Sequence, residues 1–405
     1  MMENPKKVSN ILYTITIFFN HFAYGISYYA IGPALTDLSY IYNVSAATLS
    51  LFPTFLALGY MIGSLGGIVY KWLNRQLVLI TLVATMAVMI AFTPYFGSIE
   101  LFFVATALLS IGGGCWDSAI NVWIVEMWPD HQASVMQALQ FMYGIGSIIC
   151  PSLMSPFVKG ITNQTVNVEA RQTSLMKPFM AIGIIQIIGP IILLFLFIIK
   201  QYERPKSCKE GDTSSIPIAH RYTKLILVSL LLSIYTAAEQ GYFLYSPTMF
   251  QYWTPAMTAS QSAILLACLT AAFTVGRLLT AFILLRLKPD IIICYHLILM
   301  ILALTWLYFG RECRTMVYSA TILLGYGYSA MWPAIIAFTE RHLKLTDRAS
   351  SLLFFASQLM TFIIPFMIGS HLTTTPLVLL IYEAISIAIC FILFTIVNLL
   401  IRFVP

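Results

Sequence analysis

Residues 178–200 read PFMAIGIIQIIGPIILLFLFIIK, and the polar stretch QYERPKSCKEGDTSSIPIAHR follows at residues 201–221. An apolar run of this length, at about 1.5 Å per helical residue, crosses a hydrocarbon core of about 30 Å. The run must be helical, because lipid offers no partner to a free backbone N–H or C=O. Similar runs recur along the whole chain, so the sequence predicts an all-α integral membrane protein embedded in the lipid bilayer.

The composition agrees with this class and argues against others. Hydrophobic residues make up 59% of the 405 residues and charged residues only 9%, so the surface cannot be covered by solvated side chains. The net charge of +6 comes from Lys and Arg residues that stand singly in short loops, so we expect no nucleic-acid partner. The seven Cys form no CxxC pair, and we expect no metal site and no cofactor.

The apolar runs predict twelve spanning helices, numbered here as spans 1 to 12. They cover residues 10–33, 48–70, 77–95, 100–125, 136–158, 178–200, 222–247, 260–285, 290–310, 315–338, 349–371 and 376–402.

The distribution of basic residues predicts the orientation. With both termini in the cytoplasm, sixteen Lys and Arg lie inside and five outside, which follows the positive-inside rule. Both Asn-x-Ser/Thr sequons, at Asn43 and Asn163, then fall in outside loops, where they predict glycosylation. We expect a monomer in the plasma membrane with both termini cytoplasmic.

An internal repeat relates the two halves of the chain. At an offset of 214 residues Pro33 falls on Pro247 and Pro151 on Pro365, each at a matching place in the order of spans. Parallel repeats of this kind build secondary transporters in which two helix bundles rock around a central site. We therefore predict two pseudo-symmetric six-helix bundles, residues 1–200 and 222–405, joined by a cytoplasmic linker at 201–221.

Span 4 carries a polar cluster in an apolar helix. Asp117 and Asn121 are four residues apart and share one helix face, with Trp116 beside them. Carboxylate, amide and aromatic face suit a hydroxyl-rich ligand, although a structural clasp between helices remains the alternative. The repeat places Met331 and Ile335 at the equivalent positions of the second half, so we expect polar recognition to be weighted to spans 4 and 7.

Span 7 contributes the second candidate group. Glu239 lies in mid-span with Gln240 beside it and Tyr235 one turn earlier. A carboxylate there can bind substrate hydroxyls, hold Na⁺ or take up a proton.

Other polar residues of the spans are further candidates for the substrate site. A lone histidine also serves as a hydrogen-bonding group between helices, and Glu383 in span 12 is expected to be structural. The candidates are Asn20 and His21 in span 1, Gln137 and Gln140 in span 5, and Gln358 in span 11.

Charged residues near the inner face are candidates for a gate. They could form ion pairs that latch the outward-open state, or they could simply be topology signals. They are Arg277, Glu126, Glu340 and Arg341.

Several strings in fixed order resemble the sodium-dependent glucose transporter 1-like branch of the major facilitator superfamily, which is similar to fucose and glucose proton symporters. They are Gly32-Pro-Ala-Leu-Thr-Asp37-Leu, Gly66-Gly-Ile-Val-Tyr-Lys-Trp-Leu-Asn-Arg75-Gln, Asp117-Ser-Ala-Ile-Asn121-Val-Trp, Met136-Gln-Ala-Leu-Gln-Phe141 and Gly325-Tyr-Gly-Tyr-Ser-Ala-Met-Trp-Pro333. The resemblance implies that Asp117, Asn121 and Glu239 belong to a sugar site. The loop after span 2 departs from the family pattern, with Lys71 and Trp72 where relatives carry an Asp and a basic residue.

The function expected from these features is secondary transport of a glucose-like hexose or similar small polar solute, driven by Na⁺ or H⁺ or facilitative. A carrier for urea or an organic anion is one alternative. A transport-inactive sensor or scaffold that keeps the fold is another. An enzyme is not expected, because no nucleophile–base pair or metal motif is found.

Overall fold

The structure, a computed structural model, describes residues 5–129, 131–161, 166–202, 218–283, 286–343, 353, 355–369 and 371–403. The chain in these ranges is almost entirely helical. The α-helices are α1 (Pro5–Tyr28), α2 (Ile31–Ile41), α3 (Ala46–Leu49), α4 (Phe52–Ser64), α5 (Arg75–Ala91), α6 (Ile99–Met127), α7 (Gln132–Met154), α8 (Val168–Ile199), α9 (Ile218–Tyr252), α10 (Ala259–Ile283), α11 (Pro289–Phe309), α12 (Arg314–Ser329), α13 (Met331–Leu343), α14 (Leu359–Ile368) and α15 (Leu377–Phe403).

Within the described residues, eight helical stretches are long and apolar enough to span a membrane, and two shorter ones, Arg75–Ala91 and Phe355–Ile368, are also apolar. Large apolar side chains cover the outside of the molecule: Ile198 is 74% and Phe309 80% exposed. A surface of this kind is stable only against hydrocarbon. The protein is therefore an integral membrane protein that crosses the bilayer several times.

Spans 1 and 10 are each divided between two α-helices, and a proline follows each division. Span 1 is divided between α1, which ends at Tyr28, and α2; span 10 is divided between α12, which ends at Ser329, and α13. A proline ring clashes with the carbonyl four residues before it. Pro33 and Pro333 favour a break at these places, whereas Pro151, Pro178, Pro190, Pro247 and Pro365 lie inside continuous helices.

The helix pairs of the first half recur in the second. The pairs α4–α6, α5–α8, α1–α7 and α1–α8 correspond to α10–α12, α11–α15, α9–α14 and α9–α15. The pairing gives two pseudo-symmetric bundles of six spans, the fold that the repeat predicted. We call the membrane side with the chain termini the inner side and the opposite side the outer side.

Glycines bring α1 and α7 into direct backbone contact. A Cβ atom on Gly25 would collide with the backbone of Tyr143, and one on Gly146 would collide with the backbone of Phe22. Small residues at such crossings allow helices in lipid to approach closely. The approach places the ring of Tyr143 beside His21, with ring centroids 5.2 Å apart.

The two halves are joined by hydrogen bonds at their outer ends. The Thr54 hydroxyl donates to the Phe362 carbonyl at 3.1 Å, and the Tyr245 hydroxyl donates to the Ser50 carbonyl at 2.5 Å. The hydroxyl oxygens of Ser155 and Ser260 lie 2.7 Å apart. The structure is therefore closed at the outer end.

A buried ion pair stabilises the outer end of the first half. Asp37 of α2 and Arg171 of α8 are each 1% exposed and form a direct ion pair. The Asp37 carboxylate also accepts hydrogen bonds from the backbone N–H groups of Lys159 at 2.8 Å and Gly160 at 3.1 Å. The guanidinium lies 4.2 Å from the centroid of the Tyr40 ring. One side-chain pair thus fixes two helices and the outer loop between α7 and α8.

We expect Arg171→Met to destabilise the protein by about 3–5 kcal/mol, because it leaves the Asp37 carboxylate buried without a countercharge. The measurement is the thermal unfolding midpoint in detergent. Lys177→Met is the matched control, since Lys177 is an exposed cation of the same helix. Equal unfolding midpoints for the two variants would show that the Asp37–Arg171 ion pair does not stabilise the protein.

Candidate functional site

A cavity of about 400 Å³ lies between the two halves, on the inner side of the outer contacts. Its walls come from α1, α4, α6 and α7 in the first half and from α9, α10 and α13 in the second. This volume lies within the range of small-molecule sites. The residues predicted for the site that line it are His21, Asp117, Asn121, Gln137, Gln140, Glu239, Gln240 and Gln358.

The Asp117 carboxylate is held by partners from two other helices. Its Oδ2 accepts a hydrogen bond from the Tyr60 hydroxyl at 3.1 Å, and its Oδ1 lies 3.9 Å from His21 Nδ1. Trp116 Nε1 donates to the same His21 nitrogen at 3.3 Å. A ring nitrogen that accepts this bond carries no proton, so His21 does not neutralise Asp117 through it. The carboxylate remains one-quarter exposed toward the cavity.

Tyrosine rings form much of the first half's wall. Tyr24, Tyr28, Tyr29 and Tyr143 line the cavity, and neighbouring ring centroids are 5.4–6.2 Å apart. Tyr60 completes this group beside Asp117. No sequence pattern indicates that Tyr29, Tyr60 or Tyr143 belongs to the site. The only signal was the number of tyrosines in spans 1, 2 and 5, which does not show which of them face inward.

The Glu239 carboxylate lines the cavity from the second half and receives a hydrogen bond from the Tyr235 hydroxyl. Tyr235 itself is only 2% exposed and does not line the cavity. It supports Glu239 from behind rather than contacting a ligand, which corrects its prediction as a substrate-binding residue.

Arg277 lies in the cavity wall, so its prediction as an inner-face gate is wrong in position. Its Nη1 donates to Gln140 Oε1 at 3.1 Å, which joins α10 to α7 across the two halves. Its guanidinium carbon lies 4.4 Å from the Phe273 ring centroid. The site therefore contains a cation, the kind of group that an anionic substrate needs.

Two further substrate-binding predictions are corrected by burial. Asn20 is fully buried, donates to the Thr16 carbonyl at 2.9 Å and packs against Gly189 of α8, so it faces away from the cavity. Trp116 is 1% exposed and orients His21 instead of presenting its ring to a ligand.

The other gating candidates lie at the inner ends of helices. Glu126 pairs with Arg75 at 2.7 Å, within the first half, and Arg75 lies 5.1 Å from the Trp123 ring centroid. Glu340 and Arg341 are exposed in the last turn of α13. A latch of the outward-open state is not expected in a structure closed at the outer end, so the gate remains a prediction.

The two sequons also remain predictions. Asn43 follows α2 with φ of 51°, in the left-handed region that asparagine tolerates. Asn163 lies outside the described residues.

Comparison with known proteins identifies the family. The model described as Major Facilitator Superfamily matches residues 17–365. The chain is 24% identical over 382 residues to sodium-dependent glucose transporter 1A of Mus musculus. The alignment covers 88% of this chain and 89% of that protein.

Solved transporters share the fold. The inward open xylose transporter from E. coli aligns with a TM-score of 0.74 at 11% identity, covering 98% of this chain and 96% of that one. The E. coli fucose:proton symporter aligns with a TM-score of 0.62 at 18% identity, covering 96% and 99%. With the family model matched over most of the sequence and the twelve-span fold in place, the chain belongs to the major facilitator superfamily.

Proposed function

We propose that the protein is a secondary transporter that carries a hexose or a similar small polar solute across a membrane by alternating access. The observation that carries this proposal is the cavity between the halves, closed at the outer end and lined by carboxylates, amides and tyrosine rings. Sugar hydroxyls need both acceptors and donors, which Asp117, Asn121, Glu239 and Gln240 supply. The C–H face of a sugar ring packs on aromatic rings, which the tyrosines supply.

The names of the relatives support the same substrate class. The similar protein of Mus musculus is called a sodium-dependent glucose transporter, and the structural neighbours include xylose and fucose transporters. Proteins of these names are transporters, and a purely enzymatic role for this chain has no comparable support.

The charges of the cavity favour coupling to a cation. Its described lining includes two carboxylates, Asp117 and Glu239, but one guanidinium, Arg277. The excess negative charge attracts Na⁺ or H⁺, and a neutral sugar does not compensate it. We propose cytoplasmic termini on the strength of the basic inner loops, and further propose a monomer in the plasma membrane.

Uptake of radiolabelled glucose, xylose and fucose into proteoliposomes tests the function. We expect uptake of at least one sugar above empty vesicles, and a decrease when the cation gradient is removed. Choline replaces Na⁺ in one series and an ionophore collapses the pH gradient in another. Uptake equal to empty vesicles for every sugar tested would refute the sugar proposal.

We expect Asp117→Asn to lower Vmax/KM for the transported sugar by about tenfold or more, because a bond to a charged acceptor contributes about 1.5–3 kcal/mol. It should also remove or alter the cation dependence. Glu100→Gln is the control, since Glu100 is exposed at the outer start of the same helix. A variant with wild-type rate and ion dependence would remove Asp117 from the mechanism.

Arg277 favours one second candidate, a carrier for an organic anion. If the substrate is a neutral sugar, excess glucuronate should compete with labelled glucose far less than unlabelled glucose does. Strong competition by glucuronate that is lost in Arg277→Gln would instead establish the anion carrier. Inhibition curves on the wild type and this variant make the distinction.

A further inference from the structure

A second buried carboxyl group lies behind the cavity, on α15. Glu383 is 0% exposed, and its Oε2 accepts a hydrogen bond from the Tyr328 hydroxyl of α12. Its other oxygen, Oε1, is buried without a hydrogen-bond partner, and none of the ion pairs found among the described residues includes Glu383. Burying a carboxyl group at this depth raises the free energy of the folded protein, so packing alone does not account for Glu383.

Tyr328 lies at the point where the tenth span breaks. The helix α12 ends one residue later at Ser329, and the N–H of Ala330 donates to the Tyr328 carbonyl. The same carbonyl accepts the Tyr235 hydroxyl at 2.7 Å. Tyr328 is therefore fixed at both ends, by Glu383 at its hydroxyl and by Tyr235 at its carbonyl.

Tyr235 connects this arrangement to the site. Its hydroxyl contacts both the Tyr328 carbonyl and Oε2 of Glu239. A phenol carries one hydrogen, so these two acceptors compete for it. The position of Tyr328 therefore decides how this hydrogen is shared, and with it the position of the Glu239 carboxylate in the cavity wall.

We propose that Glu383 is a positioning residue for substrate binding: by fixing Tyr328 at the break of the tenth span, it holds Tyr235 and the substrate-binding carboxylate of Glu239 in place. The proposal rests on the proposed function of Glu239 and extends it to a helix that does not line the cavity. The chain of contacts runs from α15 through α12 to α9. The proposal predicts that α15, a helix that does not line the cavity, controls substrate affinity.

A double-mutant cycle on the reconstituted full-length protein tests the proposal. Glu383→Leu and Tyr328→Phe should each raise KM for the transported sugar by about fivefold, the effect of one lost hydrogen bond, with little change in Vmax. The double variant should be no worse than either single one, because both remove the same link. Glu383→Gln keeps an acceptor oxygen and should restore KM toward wild type.

The control is Tyr326→Phe on the same helix, which should leave KM unchanged. The Tyr326 ring lies against His296, with ring centroids 5.3 Å apart. Additive effects of Glu383→Leu and Tyr328→Phe, an unchanged KM, or a loss of Vmax that Gln does not rescue would each overturn the proposal.

A second measurement needs no transported sugar and so separates this proposal from the proposed function. Dicyclohexylcarbodiimide modifies carboxyl groups in membranes, and peptide mass spectrometry gives the rate at Glu239, with Asp117 of the other half as internal reference. We expect Glu383→Leu, Tyr328→Phe and the double variant to raise the Glu239 rate equally. If no hexose is transported but these rates rise together, the proposed function fails and the link from Glu383 through Tyr328 to Glu239 stands. Unchanged modification rates at Glu239 overturn that link.

Discussion

In hydrocarbon, each backbone N–H or C=O without a partner raises the free energy by several kcal/mol, and this penalty governs where the chain may depart from a helix. Spans 1 and 10 depart from a helix beside the central cavity, at residues 29–30 and at Ala330. Pro33 and Pro333 follow these breaks by a few residues and weaken a continuous helix there. At the second break the Tyr235 hydroxyl caps the carbonyl of Tyr328, so irregular backbone is accommodated by protein rather than exposed to lipid.

The same penalty organises the polar side chains of the cavity into chains of hydrogen bonds. Trp116 donates to His21, which lies beside Asp117, and Tyr60 donates to the same carboxylate from α4. In the second half, the Tyr235 hydroxyl, which is shared with the Tyr328 carbonyl, lies within hydrogen-bond distance of Glu239. Each carboxylate is thus oriented before a ligand arrives, which reduces the entropy lost on binding. Each carboxylate is held within its own half, so the orientation does not depend on the contacts that rocking breaks.

The halves pack against each other as well as sharing hydrogen bonds: α7 lies along α10, α4 along α14 and α2 along α9. The outer end of the first half is fixed internally by the Asp37–Arg171 pair, whose two residues both belong to that half. The halves meet through hydroxyl-to-carbonyl and hydroxyl-to-hydroxyl bonds at the outer end and through Arg277 and Gln140 at the cavity. Neutral bonds contribute about 0.5–1.5 kcal/mol each, so breaking these hydrogen bonds at the outer end costs only a few kcal/mol.

The sequence by itself determined the all-α membrane class and the repeat that relates the halves, and it made Asp117, Asn121 and Glu239 candidates for the site, because long apolar runs make both spans and isolated polar residues conspicuous. Tertiary structure alone decided that Asn20 faces α8 and that Arg277 faces the cavity. A spanning helix is apolar on nearly all sides, so its periodicity does not show which face meets lipid, a neighbouring helix or the cavity. Only the packing of helices distant in sequence makes that choice, and it placed Glu383 behind the site rather than in it.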